Sequence, residues 1–385
     1  MVWVLPFLLA LPLSATSQTA PASPSFADVS HRADAARVQE RFPEAIQLYK
    51  QGIKLRPTWS EGWWWLGSIY YEQDRFPEAQ AAFERFVATS PKAEPAYAFL
   101  GLCEYETGKY DAARRHFSQW ALKGSPGTSE LIDVALFHWA LLLTQEGKFA
   151  QALYLLDKAA QHHGPNPLLV EAIGLAWLQL RNLPEDYPIE QREIVWLAGT
   201  ASVSASADNY KKAQEYAARL VSHYGDRPNV HYFRGMLYFF DKQEEEAQAE
   251  FRRELEISPK NASAMIQLAL AQASLREKLD EAENNASNAL SIDSENPLGH
   301  YALGTVLLLQ GKYEPSVGEL QRAAKLAPGS ARVHFQLANA YRRLDRMSDF
   351  EREKALFENL KDKQEVFATV EEKLMDVSDQ REQPK

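Results

Sequence analysis

One cysteine, Cys103, is the only thiol in a chain of 385 residues, so no internal disulfide can staple the fold. Its neighbours Glu104 and Glu106 disfavour a thiolate, which makes Cys103 a small core residue rather than a nucleophile. Positive charge is scarce beside negative: 42 Lys and Arg against 52 Asp and Glu leave a net charge of −10. Nucleic acid demands basic side chains clustered on one face, so it is not an expected partner. Long apolar runs are missing too. The longest, Val2 to Leu13, has about a dozen residues broken by Pro6 and Pro12, short of the roughly 20 that a membrane-spanning helix needs. No useful length of strand-period alternation occurs, which argues against sheet. The chain also lacks H-E-x-x-H, a cysteine pair, a carboxylate triad at ligand spacing, G-x-S-x-G, a P-loop and G-x-G-x-x-G. No metal, cofactor or catalytic group is expected, and the chain is not read as an enzyme.

What the chain does have is apolar residues in a strict rhythm. Hydrophobic residues make up 45% and aromatics 11% of it, too many for a disordered chain. Gly67 and Gly101 are 34 residues apart. Ala45, Ala79 and Ala113 repeat that interval, as do Phe83 and Phe117, Pro57 and Pro91, Gly235 and Ala269, and Gly304 and Ala338. A fixed period of this length marks a helical-repeat solenoid, in which each unit buries the apolar face of its neighbour.

The period has its own alphabet. Trp63, Leu66, Gly67 and Tyr70 spell W-x2-L-G-x2-Y, and Ala79, Phe83 and Pro91 complete A-x3-F followed by Pro. This resembles the tetratricopeptide repeat family, and the chemistry of each letter fits. Trp63, Leu66 and Tyr70 share one helical face by their spacing. Gly67 is expected to let the two helices of a hairpin approach, against the small surface of Ala79. Pro91 cannot continue a helix. The resemblance implies an all-α superhelical solenoid of antiparallel hairpins, each with a first helix A and a second helix B. Repeats are read at 27–59, 60–93, 94–127, 133–166, 228–261, 262–296, 297–330 and 331–362. Gly147 and Gly311 stand where a helix A should end.

The stretch 167–227 interrupts the rhythm. Pro167 to Arg181 reads as a helix A with no helix B after it. Leu183-Pro184-Glu185-Asp186-Tyr187-Pro188 then forms a connection no helix can cross. A hairpin follows, over 189–204 and 209–224. The odd helix has two placements, a joint between two sub-solenoids or a plug in the groove, and the short Pro-rich connection favours the joint. The organisation expected is a signal peptide over 1–17, a flexible leader over 18–26, an N-terminal repeat block over 27–166, the irregular helix and degenerate hairpin over 167–227, a C-terminal block over 228–362 and a polar tail over 363–385. Export rests on the Val2–Leu13 run and on Ala15 and Ser17, small residues that allow cleavage before Gln18. The expected site is thus periplasmic or secreted, with no integral membrane segment after cleavage.

His231, His300 and His334 fall at the repeat position of Trp63 and Tyr97, a packing position between helices, about a repeat apart and too far to share a metal. His162 and His163, adjacent before Gly164-Pro165, diverge rather than chelate. By resemblance, the concave groove is lined by helix A residues at the fifth, ninth and twelfth positions of each repeat. Carried onto this chain, those positions give an aromatic lining of Trp64, Tyr71, Tyr105, Phe137, Tyr232, Phe239, Tyr301 and Phe335, beside Ala98, Ile266 and Leu308. Such a lining suits an apolar protein or peptide segment, and packing between repeats is the competing role for each residue. The function expected is a non-enzymatic protein-binding scaffold, by resemblance in envelope or secretion-related assembly. A self-associating structural protein and a glycan-binding module stay open; the latter would need carboxylates among the groove aromatics.

Overall fold

The computed structural model describes residues 25–90, 94–125 and 127–361. The expected signal peptide and nearly all of the leader and polar tail lie outside those residues. Among the described residues there are nineteen α-helices and no strand. The chain divides into two units, Met1–Ala96 and Tyr97–Lys385.

The first unit holds two hairpins, α1 (Phe26–Val38) with α2 (Phe42–Leu55), and α3 (Ser60–Glu72) with α4 (Phe76–Thr89). Ser25 caps α1 by accepting from the Asp28 amide. Fully buried Tyr49 fixes the first hairpin: its Oη donates to Asp34 at 2.7 Å and accepts from Arg37 Nε at 3.1 Å. In α3, a Cβ built on Gly67 would lie 2.9 Å from the Phe83 ring. The glycine therefore makes room for an aromatic of α4, so that the two helices of the hairpin can close on each other. The same pairing recurs in the second unit between Gly101 and Phe117 and between Gly235 and Phe251, each at 2.6 Å, while Leu320 takes the place of the ring opposite Gly304. Burying each such ring contributes roughly 1.5–3 kcal/mol.

α5 (Glu94–Glu106) opens the second unit and is followed by α6 (Tyr110–Leu122). Next come α7 (Ser129–Glu146) with α8 (Phe149–His163), then a lone α9 (Pro167–Trp177). After two short 3-10 turns, hairpins resume: α10 (Arg192–Ser206) with α11 (Tyr210–Tyr224), α12 (Val230–Phe240) with α13 (Glu244–Ile257), α14 (Ala262–Leu275) with α15 (Leu279–Ile292), α16 (Pro297–Leu309) with α17 (Tyr313–Leu326), and α18 (Ala331–Arg343) with α19 (Met347–Lys361). Gly147 and Gly311 end α7 and α16 at φ of 82° and 78°, a left-handed conformation that favours glycine.

The odd helix packs in series, between α8 and α10. It crosses α10 backbone to backbone. A Cβ on Gly174 would lie 1.9 Å from the Val195 carbonyl oxygen, and one on Gly199 would lie 1.9 Å from that of Val170. α9 therefore continues the stack of helices from α8 to α10.

Paired side chains tie helix A to helix B within three of the later hairpins. His231, His300 and His334 do sit between helices, and each Nδ1 meets a glutamate 19 residues on: Glu250 at 2.5 Å, Glu319 at 2.6 Å and Glu353 at 2.7 Å. A core aromatic position thereby carries a cross-helix hydrogen bond between histidine and glutamate.

Cys103 is fully buried on α5. Burial pushes its thiol up to about 12, and the Glu104 charge adds to the effect. Because the folded value lies above the ordinary 9.0, the contribution to stability is complete below that value and is lost as pH climbs towards 12. At pH 8 the native chain is expected to resist a maleimide, and to take up one equivalent once unfolded in guanidinium, as read by mass spectrometry.

Candidate functional site

The eight aromatics expected to line a groove fall into two groups. Trp64, Tyr71, Phe137 and Phe335 are half-buried, whereas Tyr105, Tyr232, Phe239 and Tyr301 are buried. Trp64 stacks on its own helix B, 5.6 Å from Phe83 and 5.2 Å from Phe86. Phe335 meets Phe357 of α19 at 5.3 Å in the same manner. Tyr71 lies edge-on to Phe76 at 5.7 Å, and Phe137 lies edge-on to His138 at 5.3 Å. Tyr301, 1% exposed, belongs to the core that joins α14 to α18, and Phe239 is 3% exposed. Both are packing residues and offer no surface to a ligand. At three fifth positions, Trp64, Tyr232 and Phe335, the ring meets an aromatic of helix B.

Tyr105 is buried for a different reason. The connection between α9 and α10 lies over it. Tyr105 Oη donates to Glu185 Oε1 at 3.4 Å, and the ring stands edge-on to His138 of α7 at 4.7 Å. Burial raises the neighbouring Tyr110 hydroxyl, and the Glu185 and Asp186 charges raise it further. Upstream, the Arg181 guanidinium covers the end of α7, so close that a Cβ on Gly147 would be 2.6 Å from it. Leu183, Pro184 and Tyr187 are buried, and Arg192 Nη2 donates to the Pro184 carbonyl at 2.9 Å. The connection thus meets α5 at Tyr105 and the end of α7 at Gly147.

Farther along the second unit, a cavity of about 330 Å³ is bounded by the α7–α8 turn and the start of α8, the end of α9, α12, α14 and the start of α16. Trp177, Tyr232, Ile266, Leu153 and Leu298 provide apolar surface, while Gln151, Gln179, Ser263, Gln267 and Asn296 are polar; Lys148 and Asp293 are opposed charges in its wall. Of the eight aromatics, Tyr232 alone lines it, and Ile266 is the next repeat's fifth position. Gln267 is 1% exposed, and its Oε1 has no hydrogen-bond partner among the described residues. Burying such an acceptor unpaired costs about 1–3 kcal/mol. The residue type alone does not single it out: the corresponding positions of other repeats hold Trp65, Phe99, His138, Phe233, Ala302 and Gln336.

The cavity wall is held from behind by Glu254 of α13, a fully buried carboxylate. Glu254 accepts from the Asn229 amide at 2.8 Å, the Tyr232 amide at 3.2 Å and Asn261 Nδ2 at 3.1 Å. Asn229, at φ 68°, begins α12 without capping it, because its side chain is engaged elsewhere. Asn229 Nδ2 donates to the Leu178 carbonyl at 3.1 Å and its Oδ1 accepts from Asn261 at 2.9 Å. The glutamate therefore caps α12 from the neighbouring helix, next to the residues that line the cavity.

Sequence comparison matches these hairpins to one repeat type. A family model described as "Tetratricopeptide repeat" matches residues 31–94, 66–127, 266–331 and 301–355, and a second so described matches 228–261, together more than half of the chain. This is a tetratricopeptide-repeat protein. Among curated proteins, anaphase-promoting complex subunit 3 of Schizosaccharomyces pombe is 25% identical over 124 residues, which is 32% of this chain and 18% of that relative's length. Among solved structures, residues 41 to the end of MamA from Desulfovibrio magneticus RS-1 align at 15% identity and a TM-score of 0.40, over 45% of this chain and 97% of that one. An APC/C hetero-tetramer of Cut9 and Hcn1 aligns at 10% identity and a TM-score of 0.44, over 86% of each chain. The matched repeats lie within 31–127 and 228–355, and no helix among the described residues is long and apolar enough to cross a membrane.

Proposed function

We propose that this protein is a non-enzymatic scaffold that holds an extended segment of a partner protein on the helix A face of its second unit, at the cavity between α9, α12 and α14. The observation that carries this reading is the connection 178–191. There the chain lays its own polypeptide against helix A residues, at Tyr105 of α5 and at Gly147 at the end of α7. That face accepts polypeptide. The part of it left open, over α12 and α14, is where a partner fits. Two of the relatives are named as parts of a multi-protein complex, the anaphase-promoting complex and the Cut9–Hcn1 assembly, which agrees with a scaffold role. Export, and work within an envelope or secretion assembly, form part of the same proposal and rest on the Val2–Leu13 run and the small residues Ala15 and Ser17.

Ser263 is half-buried in the cavity wall, so a Ser263→Trp variant would fill the space without touching the core. Partners captured by the wild-type chain from the exported fraction, and identified by mass spectrometry, are expected to be lost by Ser263→Trp while its helical circular dichroism is unchanged. The recovered chain is expected to begin at Gln18. Retention of every partner by the folded variant would sink the groove reading, and an intact Met1 terminus would sink the cleavage.

A further inference from the structure

Two buried histidines near the end of the second unit have an acceptor at each ring nitrogen. His300 Nδ1 meets Glu319 at 2.6 Å, and its Nε2 meets the Ser294 carbonyl at 3.0 Å. His334 repeats the arrangement with Glu353 at 2.7 Å and the Pro328 carbonyl at 3.3 Å. Both carbonyls lie six residues upstream, in the turns that lead from α15 into α16 and from α17 into α18. Each ring therefore ties its own helix B to the turn leaving the preceding hairpin. Trp63 of α3 shows which way the second bond runs. At the same repeat position, its Nε1 donates to the Pro57 carbonyl, also six residues upstream, at 3.0 Å. An indole N–H can only donate. His300 and His334 stand in the place of that ring, so Nε2 is the donor there too.

A neutral imidazole has a single N–H. With Nε2 as donor, a neutral ring would set the bare lone pair of Nδ1 against a carboxylate. We infer that His300 and His334 are doubly protonated in the folded chain and form a pH-sensitive clamp between its last hairpins. Arginines stand beside both carboxylates, Arg322 at 3.8 Å from Glu319 and Arg352 at 3.1 Å from Glu353. Positive charge there favours the ionised carboxylate and so leaves the proton on the ring. Arg352 is shared with Asp349 at 2.7 Å. Among the described residues, the other helices packed against α16 and α18 set no further ion-pair partner on either histidine or its glutamate. His231 differs: Glu250 meets its Nδ1, and its Nε2 makes no hydrogen bond among the described residues, so a single N–H satisfies it.

An unfolded histidine gives up its second proton near about pH 6.5. Above that value the folded chain carries protons that the unfolded chain has lost, so stability falls as pH rises. The clamp is complete near about pH 6.5 and loosens towards alkaline pH. Hydrogen exchange of the full-length chain, followed by mass spectrometry from about pH 6.5 to about pH 8.5, reads this hairpin by hairpin. After correction for intrinsic exchange, protection of α16 to α19 is expected to fall by up to about tenfold per pH unit for each proton retained. Protection of α3 and α4, where Trp63 takes the histidine's place, should stay level. In Glu319→Gln/Glu353→Gln the amide oxygens still accept from Nδ1 without a charge, and the fall should vanish. Should that variant not fold, the wild-type chain decides alone. With nitrogen-15 histidine, and each signal assigned by replacing that residue, both ring nitrogens of His300 and His334 should bear hydrogen at about pH 7.5. A bare ring nitrogen at either position, level protection of α16 to α19, or an equal fall in the variant overturns the clamp.

Discussion

Gly174→Ala and Gly199→Ala are each expected to destabilise the second unit by about 2–3 kcal/mol, as read by urea unfolding. In each case the added methyl would come to 1.9 Å from a backbone carbonyl oxygen, Val195 for Gly174 and Val170 for Gly199. A ring edge can rotate away, but a helix backbone moves only with the whole helix. Overpacking of this kind typically costs 1–3 kcal/mol, occasionally more. Alanine's better helix propensity returns at most about 1 kcal/mol. The built-in control is Gly318→Ala. Gly318 is an exposed interior position of α17 with nothing within 4 Å of a Cβ, so that change is expected to stabilise by about 0.5–1 kcal/mol. Gly67→Ala should fall between, because its methyl meets only the Phe83 ring, at 2.9 Å. If Gly174→Ala proved as stable as wild type, α9 and α10 would not be in backbone contact, and the account of the joint would be wrong.

Those glycines show what could be read from the residues alone. The helix pairs were legible because the repeat writes each one out: nine hairpins and one unpaired helix follow from the period and its interruption. The ends of α7 and α16 were legible from Gly147 and Gly311, since only a left-handed turn calls for glycine there. Contacts between repeats were not legible. Gly174 and Gly199 each read as an ordinary small residue, and their partnership depends on the crossing of two helices. The groove suffered most. The fifth position is defined by sequence register, but whether Trp64 or Tyr301 faces solvent depends on how tightly the next hairpin closes over it. Tyr105 is covered by a connection about 80 residues later, which no local pattern could announce. Gln267 was not legible either, because Gln336 holds the same repeat position, and its unpaired oxygen appears only in the folded chain.

Glu254→Ala is the change expected to affect both stability and binding. Its carboxylate accepts three hydrogen bonds while fully buried, two of them from the first-turn region of α12 at Asn229 and Tyr232. Hydrogen bonds to a charged group are worth about 1.5–3 kcal/mol each, and donors left unpaired in a buried place add their own penalty. A loss of about 2–6 kcal/mol is expected, from two backbone donors left unpaired at about 1–3 kcal/mol each. Glu254→Gln keeps one acceptor oxygen but turns an amino group towards a backbone amide, so it should recover only part of the loss. Glu256, two residues away and exposed in a surface pair with Arg253, is the contrast: Glu256→Ala should change stability by less than about 1 kcal/mol. The network also reaches the Leu178 carbonyl through Asn229, next to Trp177 and Gln179 in the cavity wall. Under conditions where Glu254→Gln remains folded, its capture of the partners that Ser263→Trp loses should therefore fall, although Glu254 itself does not line the cavity. Unchanged capture together with lowered stability would confine Glu254 to capping and uncouple the joint from the site.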